Sequence, residues 1–141
     1  MGSSGFGILT EQMEIEQRPS VAVMALQGIQ GHFHPFLIPH LQENNFRAGS
    51  LLAEQLSEVN MDPSLTFIFP DAFSFQHGPF LDGLESESRF VPVVGGCASE
   101  KGGHDKTLQW SGDRFAFDAV SGVAFNQNFE FEIGITQSCQ P

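Results

Sequence analysis

The sequence predicts an α+β domain in which a mixed sheet, ending in an antiparallel meander, is covered by helices. Between residues 20 and 95, segments with the composition of strands alternate with helical segments, which favours helices packed on a sheet. After residue 106 the pattern changes to short strands joined by turns, which is typical of antiparallel hairpins. The length of 141 residues suits one domain and excludes two full-sized ones.

The first half of the chain predicts strands followed by a helix. Residues 14–16 alternate polar and apolar side chains as a half-exposed strand does, and the apolar run at 21–26 predicts a buried strand. Residues 31–40 contain two prolines, which a central strand excludes, so we expect an edge strand or an ordered loop there. Asn44 or Asn45 can cap a helix on the 3.6-residue period. Its predicted apolar side consists of Phe46, Leu51, Leu52, Leu56 and Val59.

The chain after residue 60 predicts six further strands and a short helix. Strands are expected at residues 65–69, 90–94 and 120–125, a short helix around 79–81, and a hairpin with strands at 108–110 and 114–117. A last strand is predicted from residue 129 to 136, because the apolar side chains there alternate strictly with other residues. On this basis Phe131→Asp should unfold the domain, whereas Glu132→Gln should not.

Charge and composition exclude several classes of partner. Six Lys and Arg against 17 Asp and Glu give a formal charge of −11, which repels nucleic acids and anionic membranes. The sequence contains no apolar run of membrane-spanning length and begins without the features of a signal peptide, so we expect a cytoplasmic protein. Cys97 and Cys139 lack CxxC spacing and are interpreted as thiols.

The glycine pair after the third predicted strand of the 20–95 region is the best candidate for a ligand site. Glycines there permit positive φ and close backbone approach, so backbone amides could cradle a ligand. The expected ligand-binding residues are Gly95, Gly96, Cys97, Ala98 and Ser99, with Phe73 and His77 on the facing loop. Cys97 could instead be a reactive thiolate, although no partner base can be assigned and a tight turn explains the glycines equally well.

A second candidate is the pair His32 and His34. Alternate residues of a strand point the same way, so the two imidazoles could bind one metal ion or haem, with His40 nearby. No further ligand stands at a diagnostic spacing, so exposed or capping histidines are the alternative. The aspartates, Asp71 among them, stand mostly at turns and element ends and are interpreted as capping residues. The sequence identifies no cofactor.

Several short motifs, taken in their order and spacing, resemble the FIST domain, a sensory module of F-box and intracellular signal-transduction proteins. The motifs are Gly5-Phe-Gly, Glu14-Ile-Glu16, His34-Pro-Phe36, Phe69-Pro-Asp71, Phe73-Ser-Phe75, Pro92-Val-Val-Gly-Gly96 with Ala98-Ser99, Val120-Ser-Gly-Val123 and the closing stretch 136–141. The closing stretch departs from the family pattern at Thr136 and Ser138. Residues 1–141 thereby resemble an incomplete N-terminal part of such a domain, treated as one domain.

The resemblance implies a non-catalytic sensor of small molecules such as amino acids or related metabolites. It also implies either a homodimer or association with a missing C-terminal part, because some of the 15 Phe could face an absent neighbour. Three alternatives stay open. They are a haem or metal sensor using His32 and His34, a protein-interaction scaffold, and a thiol enzyme using Cys97.

Overall fold

The computed structural model describes residues 1–10, 13–27, 33–86, 90–103, 105–126 and 130–134. In these ranges the chain forms nine strands and two helices. The strands are β1 (Gly2–Ser3), β2 (Gly7–Leu9), β3 (Glu14–Glu16), β4 (Phe33–Pro39), β5 (Pro63–Pro70), β6 (Val93–Gly95), β7 (Leu108–Ser111), β8 (Arg114–Phe117) and β9 (Ala119–Asn126). Helix α1 (Asn45–Glu58) lies between β4 and β5, and α2 (His77–Ser86) lies between β5 and β6.

The main sheet has four strands in the order β4-β9-β5-β6. β9 is antiparallel to both of its neighbours, whereas β5 and β6 are parallel and are connected through α2. The α+β class with a mixed sheet is therefore confirmed. A second sheet has the order β1-β7-β8, and β2 pairs with β3 in a separate hairpin. The predicted hairpin near residues 108–117 is confirmed as β7 and β8.

The two helices cover one face of the main sheet. Alternate strand residues, such as Phe36 on β4, Ile68 on β5 and Val120 on β9, form one buried cluster with Leu52 of α1 and Phe80 of α2. The helices approach each other closely at two glycines. A Cβ at Gly49 would overlap the carbonyl oxygen of Phe80, and one at Gly83 would overlap that of Phe46.

The opposite face of the main sheet is covered in part by the second sheet. β7 contacts both β9 and β4, and the Ser121 hydroxyl on β9 donates to the carbonyl oxygen of Gly2 on β1 at 2.8 Å. Leu37 and Ala119 are buried on this side, outside the helix cluster. The N-terminal residues are thus part of the packed domain. No helix in the described part of the chain is long and apolar enough to cross a membrane.

The helix prediction for α1 is confirmed at its start and in part along its face. The Asn44 side chain accepts a hydrogen bond from the Arg47 amide at 2.9 Å, as an N-cap does. Leu52 and Leu56 are buried as expected. Phe46 and Val59 are exposed instead, because Phe46 lies beside the buried stripe of Ala48, Leu52 and Leu56, and Val59 follows the last residue of the helix.

Two predicted strands are wrong. Residues 21–27 have no regular secondary structure and are exposed, and residues 130–134 are neither helix nor strand. The rest of the predicted 129–136 strand lies outside the described residues. Both segments have strand-like composition, but a strand also needs a neighbour for its backbone groups, and the positions beside β5 are occupied by β9 and β6. Phe131 and Ile133 are accordingly 36% and 53% exposed. The predicted strand at 90–94 is shorter and shifted to 93–95.

Candidate ligand-binding site

The parallel strands β5 and β6 place the segments that follow them at the same end of the main sheet. Thr66, Phe67 and Ile68 of β5 pair with residues 93–95 of β6, so both strands end on the same side. The loops after Pro70 and after Gly95 leave from that side. Crevices outside the carboxyl ends of parallel strands are the usual place for ligands in open α/β sheets. The sequence-predicted site residues Phe73, His77 and 95–99 all belong to segments that follow these two strands.

The loop 95–99 is held against the end of β5 by its backbone. The Gly96 amide donates to the Ile68 carbonyl oxygen at 3.3 Å, and the Ala98 amide donates to the Pro70 carbonyl oxygen at 2.8 Å. Gly95 has a φ of 155°, and a Cβ there would overlap the Ile68 carbonyl oxygen, so the position requires glycine. Gly96 has open space around its Cα.

These contacts correct the prediction that the backbone amides of the loop are available to a ligand. The Gly96 and Ala98 amides, which were expected to be available to a ligand, are used by the main chain. The amides of Cys97 and Ser99 alternate with them and have no hydrogen-bonding partner among the described residues. Ala98 is buried, whereas the Cys97 and Ser99 side chains are exposed. The loop can therefore offer two amide donors, a thiol and a hydroxyl.

Ser99 links this loop to the N-terminal segment. Its Oγ accepts a hydrogen bond from the Phe6 amide at 3.0 Å, and the Lys101 Nζ lies 6.0 Å from the centre of the Phe6 ring. An open cleft of about 380 Å³ lies here, a volume at the small end of the usual range for ligand pockets. Its lining residues are Ser4, Gly5, Phe6, Gln17, Arg18, Pro19, Ser99, Glu100 and Lys101.

The charges at this cleft differ from those of the whole chain. Arg18 and Lys101 are two of only six Lys and Arg residues in the protein. Within the described ranges neither forms an ion pair. Glu100 also lines the cleft and accepts a hydrogen bond from the Asp105 amide at 3.3 Å. Sequence reasoning missed these residues, although the Gly5-Phe-Gly motif and the rarity of cations were available signals.

Asp71, directly after β5, is the most completely hydrogen-bonded side chain near the loop. One carboxylate oxygen accepts from the Thr107 amide at 2.9 Å and from the Thr107 hydroxyl at 2.5 Å. The other accepts from the Ser74 amide at 3.1 Å and the Ser74 hydroxyl at 2.7 Å. Asp71 thus caps its own turn, as predicted, and also joins that turn to β7, which the sequence did not indicate.

Burial and hydrogen bonding act in opposite directions on the pKa of Asp71. The residue is 2% exposed, and burial alone would raise the pKa of its carboxyl group. The hydrogen bonds from Thr107 and Ser74 to the charged form outweigh this effect and lower the pKa below its ordinary value. Asp71 is therefore a carboxylate at neutral pH, and its donors are already used for structure.

Phe73 and His77 are placed less closely to the loop. Both are exposed, and neither lines the cleft that contains Ser99. Phe73 lies in the turn between Asp71 and α2, and His77 is the first residue of α2. The cleft is instead completed by N-terminal residues, which are distant in sequence from the loop 95–99.

The histidines predicted as alternative metal ligands are not brought together in the described structure. His32 lies outside the described residues. His34 is half-buried on β4, and the exposed His40 ring nitrogen lies 3.5 Å from the Glu43 carboxylate. Among the described residues, no group of three or more His, Cys, Asp and Glu side chains could hold a metal ion. Cys97 is an exposed free thiol.

Comparison with known proteins gives one positive result. A family model described as the FIST N domain matches residues 1–141, the whole length of the chain. No curated protein and no solved structure matches the chain.

Proposed function

Because the chain belongs to the FIST N domain family, a family of sensory domains in signal transduction, we propose that it binds a small molecule without catalysing a reaction. The proposed site is the loop 95–99 together with the cleft beside it. The expected ligands are amino acids or related metabolites. Phe73 and His77 stand at the same edge of the sheet and are proposed as outer contacts of the ligand.

The observation that carries this proposal is the local excess of cationic groups in an acidic protein. Arg18 and Lys101 line a cleft that also holds the Ser99 hydroxyl and the Phe6 ring, in a chain whose formal charge is −11. A carboxylate would find two positive charges there and the Ser99 hydroxyl as a polar contact. Glu100 supplies a negative charge for an ammonium group. The cleft thus fits a small zwitterion better than it fits a neutral or apolar ligand.

The chemistry around Cys97 supports binding over catalysis. A thiol nucleophile needs a base or a positive group that stabilises the thiolate. Cys97 has no hydrogen-bonding partner in the described part of the chain. Asp71 is a buried carboxylate, and both of its oxygens already accept hydrogen bonds from Thr107 and Ser74. These contacts of Cys97 and Asp71 support a binding role for the loop.

The proposal can be tested by calorimetric titration of the 141-residue protein with the common amino acids and with their carboxyl-amidated forms. A subset of the free amino acids should bind, and amidation should weaken binding at least about tenfold, because it removes the charge that Arg18 and Lys101 would hold. Arg18→Gln and Lys101→Gln should weaken binding to a similar degree.

Lys106→Gln and Arg114→Gln serve as matched controls, since they remove the same charge from residues that do not line the cleft. Both should bind as the unchanged protein does. Equal losses in all four variants would indicate a general charge effect and would refute the assigned site. Absence of binding by every amino acid would refute the ligand class.

A further inference from the structure

The cleft beside the loop 95–99 carries unequal numbers of positive and negative side chains. Among its described lining residues, Arg18 and Lys101 are cationic and Glu100 is anionic, so its formal charge is +1. The whole chain has a formal charge of −11, so the cleft differs in sign from the rest of the protein. An amino acid with a neutral side chain has one group of each sign and would leave one cation without a counter-charge. The charges therefore match a ligand with two negative groups and one positive group.

The backbone brings the three charged side chains to the same cleft. Strands β2 and β3 are antiparallel, so the residues just before β2 and just after β3 stand at one end of this hairpin. Phe6 and Arg18 belong to these two segments. The Phe6 amide donates to the Ser99 Oγ at 3.0 Å, which attaches this end of the hairpin to the segment that contains Glu100 and Lys101. The three charges thus line one space of about 380 Å³.

The two cations differ from the anion in how firmly they are held. Arg18 and Lys101 are exposed, and within the described ranges neither forms an ion pair, so their charged ends can turn towards a ligand. Glu100 is half-buried, and its carboxylate accepts a hydrogen bond from the Asp105 amide at 3.3 Å. A carboxylate has about four acceptor positions, so Glu100 can also accept from an ammonium group. The cleft thus offers one fixed carboxylate and two adjustable cations.

We propose that the cleft binds an acidic amino acid, whose two carboxylates contact Arg18 and Lys101 and whose ammonium group contacts Glu100. This inference rests on the proposed function of the cleft and specifies the class of its ligand. An acidic amino acid carries one more negative than positive charge at neutral pH, which balances the charge of the cleft. Hydrogen bonds between ionised groups are about twice as strong as neutral ones, and a guanidinium can hold a carboxylate through two of them.

Other classes of ligand leave a charge of the cleft unbalanced. An amino acid with an amide side chain gives one of the two cations no anionic partner. A basic amino acid would place its additional positive charge beside that cation. A dicarboxylate without an amino group would leave Glu100 facing two negative groups. Because like charges in contact repel each other, each of these ligands should bind more weakly than an acidic amino acid.

The negative charge of the whole chain does not reverse this selection. Exposed charges more than about 8 Å apart are largely screened at physiological ionic strength, whereas groups that contact the ligand are not. Glu16 is close to the cleft in sequence, but its side chain lies along Gly7 and does not line the cleft. The lining residues therefore decide which charge the ligand carries.

Calorimetric titration of the full chain at about 0.15 M salt tests the inference with matched pairs of ligands. Glutamate is compared with glutamine and aspartate with asparagine, because each amide keeps the shape of its acid and lacks one negative charge. At least one acid should bind at least about tenfold more tightly than its amide. The same acid should bind at least about tenfold more tightly than its 2-oxo acid, which keeps both carboxylates and lacks the amino group.

Variants of the lining residues show which side chain holds which group of the ligand. One of Arg18→Gln and Lys101→Gln should remove the preference for the acid over its amide, because it removes the partner of the side-chain carboxylate. The other should weaken binding of the acid and the amide equally, because it removes the partner of the α-carboxylate. Glu100→Gln should remove the preference for the amino acid over its 2-oxo acid.

Lys106→Gln is the matched control, since Lys106 is exposed outside the cleft, with its Nζ 5.6 Å from the centre of the Phe117 ring. It should keep both preferences, and all four variants should keep their circular dichroism spectra. Amides that bind as tightly as their acids, or 2-oxo acids that bind as tightly as the amino acids, would overturn the inference and leave the proposed function standing. A preference for the acid that persists in both Arg18→Gln and Lys101→Gln would also overturn it. Absence of binding by every amino acid would refute the proposed function as well.

Discussion

Replacing the buried carboxylate of Asp71 tests the link between the turn after β5 and strand β7. In Asp71→Asn, the side-chain oxygen can still accept from the Thr107 amide and hydroxyl. The new NH₂ group, however, would face the Ser74 amide, which is also a donor. The substitution keeps the shape of the side chain and changes only its charge and one hydrogen-bonding group, so packing is left unchanged.

The expected loss of stability follows from the hydrogen bonds that change. The part-buried Ser74 amide loses its acceptor, which costs about 1–3 kcal/mol, and the two bonds to Thr107 lose their charge assistance. We therefore expect Asp71→Asn to lower the free energy of unfolding by about 2–4 kcal/mol. Since domains are typically stable by about 5–15 kcal/mol, the variant should still fold at 25 °C.

Urea denaturation at several pH values measures both the size and the origin of this loss. The folded-state pKa of Asp71 is lowered relative to the unfolded value of about 3.9, so its charge stabilises the fold above that pH. This contribution is lost as the pH falls through the folded-state pKa. The difference between the unchanged protein and Asp71→Asn should therefore be constant near neutrality and should narrow below about pH 4.

Asp113→Asn is the control, because Asp113 is exposed in the turn between β7 and β8. It should change the free energy of unfolding by no more than about 0.5 kcal/mol. Equal urea midpoints for the two variants at neutral pH would refute the buried network. So would a difference that stays constant down to the most acidic pH at which the protein folds.

Three further predictions concern a glycine of the loop, the N-cap of α1 and the segment 130–134. Gly95→Ala should lower the free energy of unfolding by about 2 kcal/mol or more, because a Cβ would overlap a carbonyl oxygen of β5. Gly96→Ala should change the free energy of unfolding by no more than about 0.5 kcal/mol, and thermal melts of the two variants measure the difference. Asn44→Ala should cost about 1 kcal/mol through loss of the N-cap of α1, measured by urea denaturation. Phe131→Asp should shift the melting temperature little, in contrast to the fully buried Phe36→Ala, which should cost about 3–5 kcal/mol. If Phe131→Asp unfolded the protein, Phe131 would have to be buried, as the predicted strand at residues 129–136 requires.

Several elements could be read from the sequence because their signals are local. The capping side chain of Asn44 and the turn at residues 111–113 each act within a few residues and are confirmed, and the apolar face of α1 is confirmed in part. The prolines at 35 and 39 predicted an edge strand or an ordered loop, and the structure has β4 as an edge strand. Such signals report backbone preference and one-sided burial, and neither requires a distant partner.

The candidate site could be predicted only in part. The glycine loop at 95–99 was identified because φ preference is a local property. Phe6 and Ser99 stand 93 residues apart in the chain, and Asp71 and Thr107 stand 36 apart. No short-range pattern encodes such contacts, since they depend on how the two sheets pack. Arg18 was therefore not predicted as a site residue, because only the fold places it in the same cleft as Lys101.

By itself the sequence determined the α+β class, most of the helices and strands, the acidic surface and the family to which the chain belongs. Only the tertiary structure decided which strands have neighbours. β9 lies between β4 and β5, whereas the equally apolar segment 21–26 remains exposed. The physical reason is that composition sets the tendency to form a strand, but backbone hydrogen bonds and burial are satisfied only by a particular partner, often far along the chain.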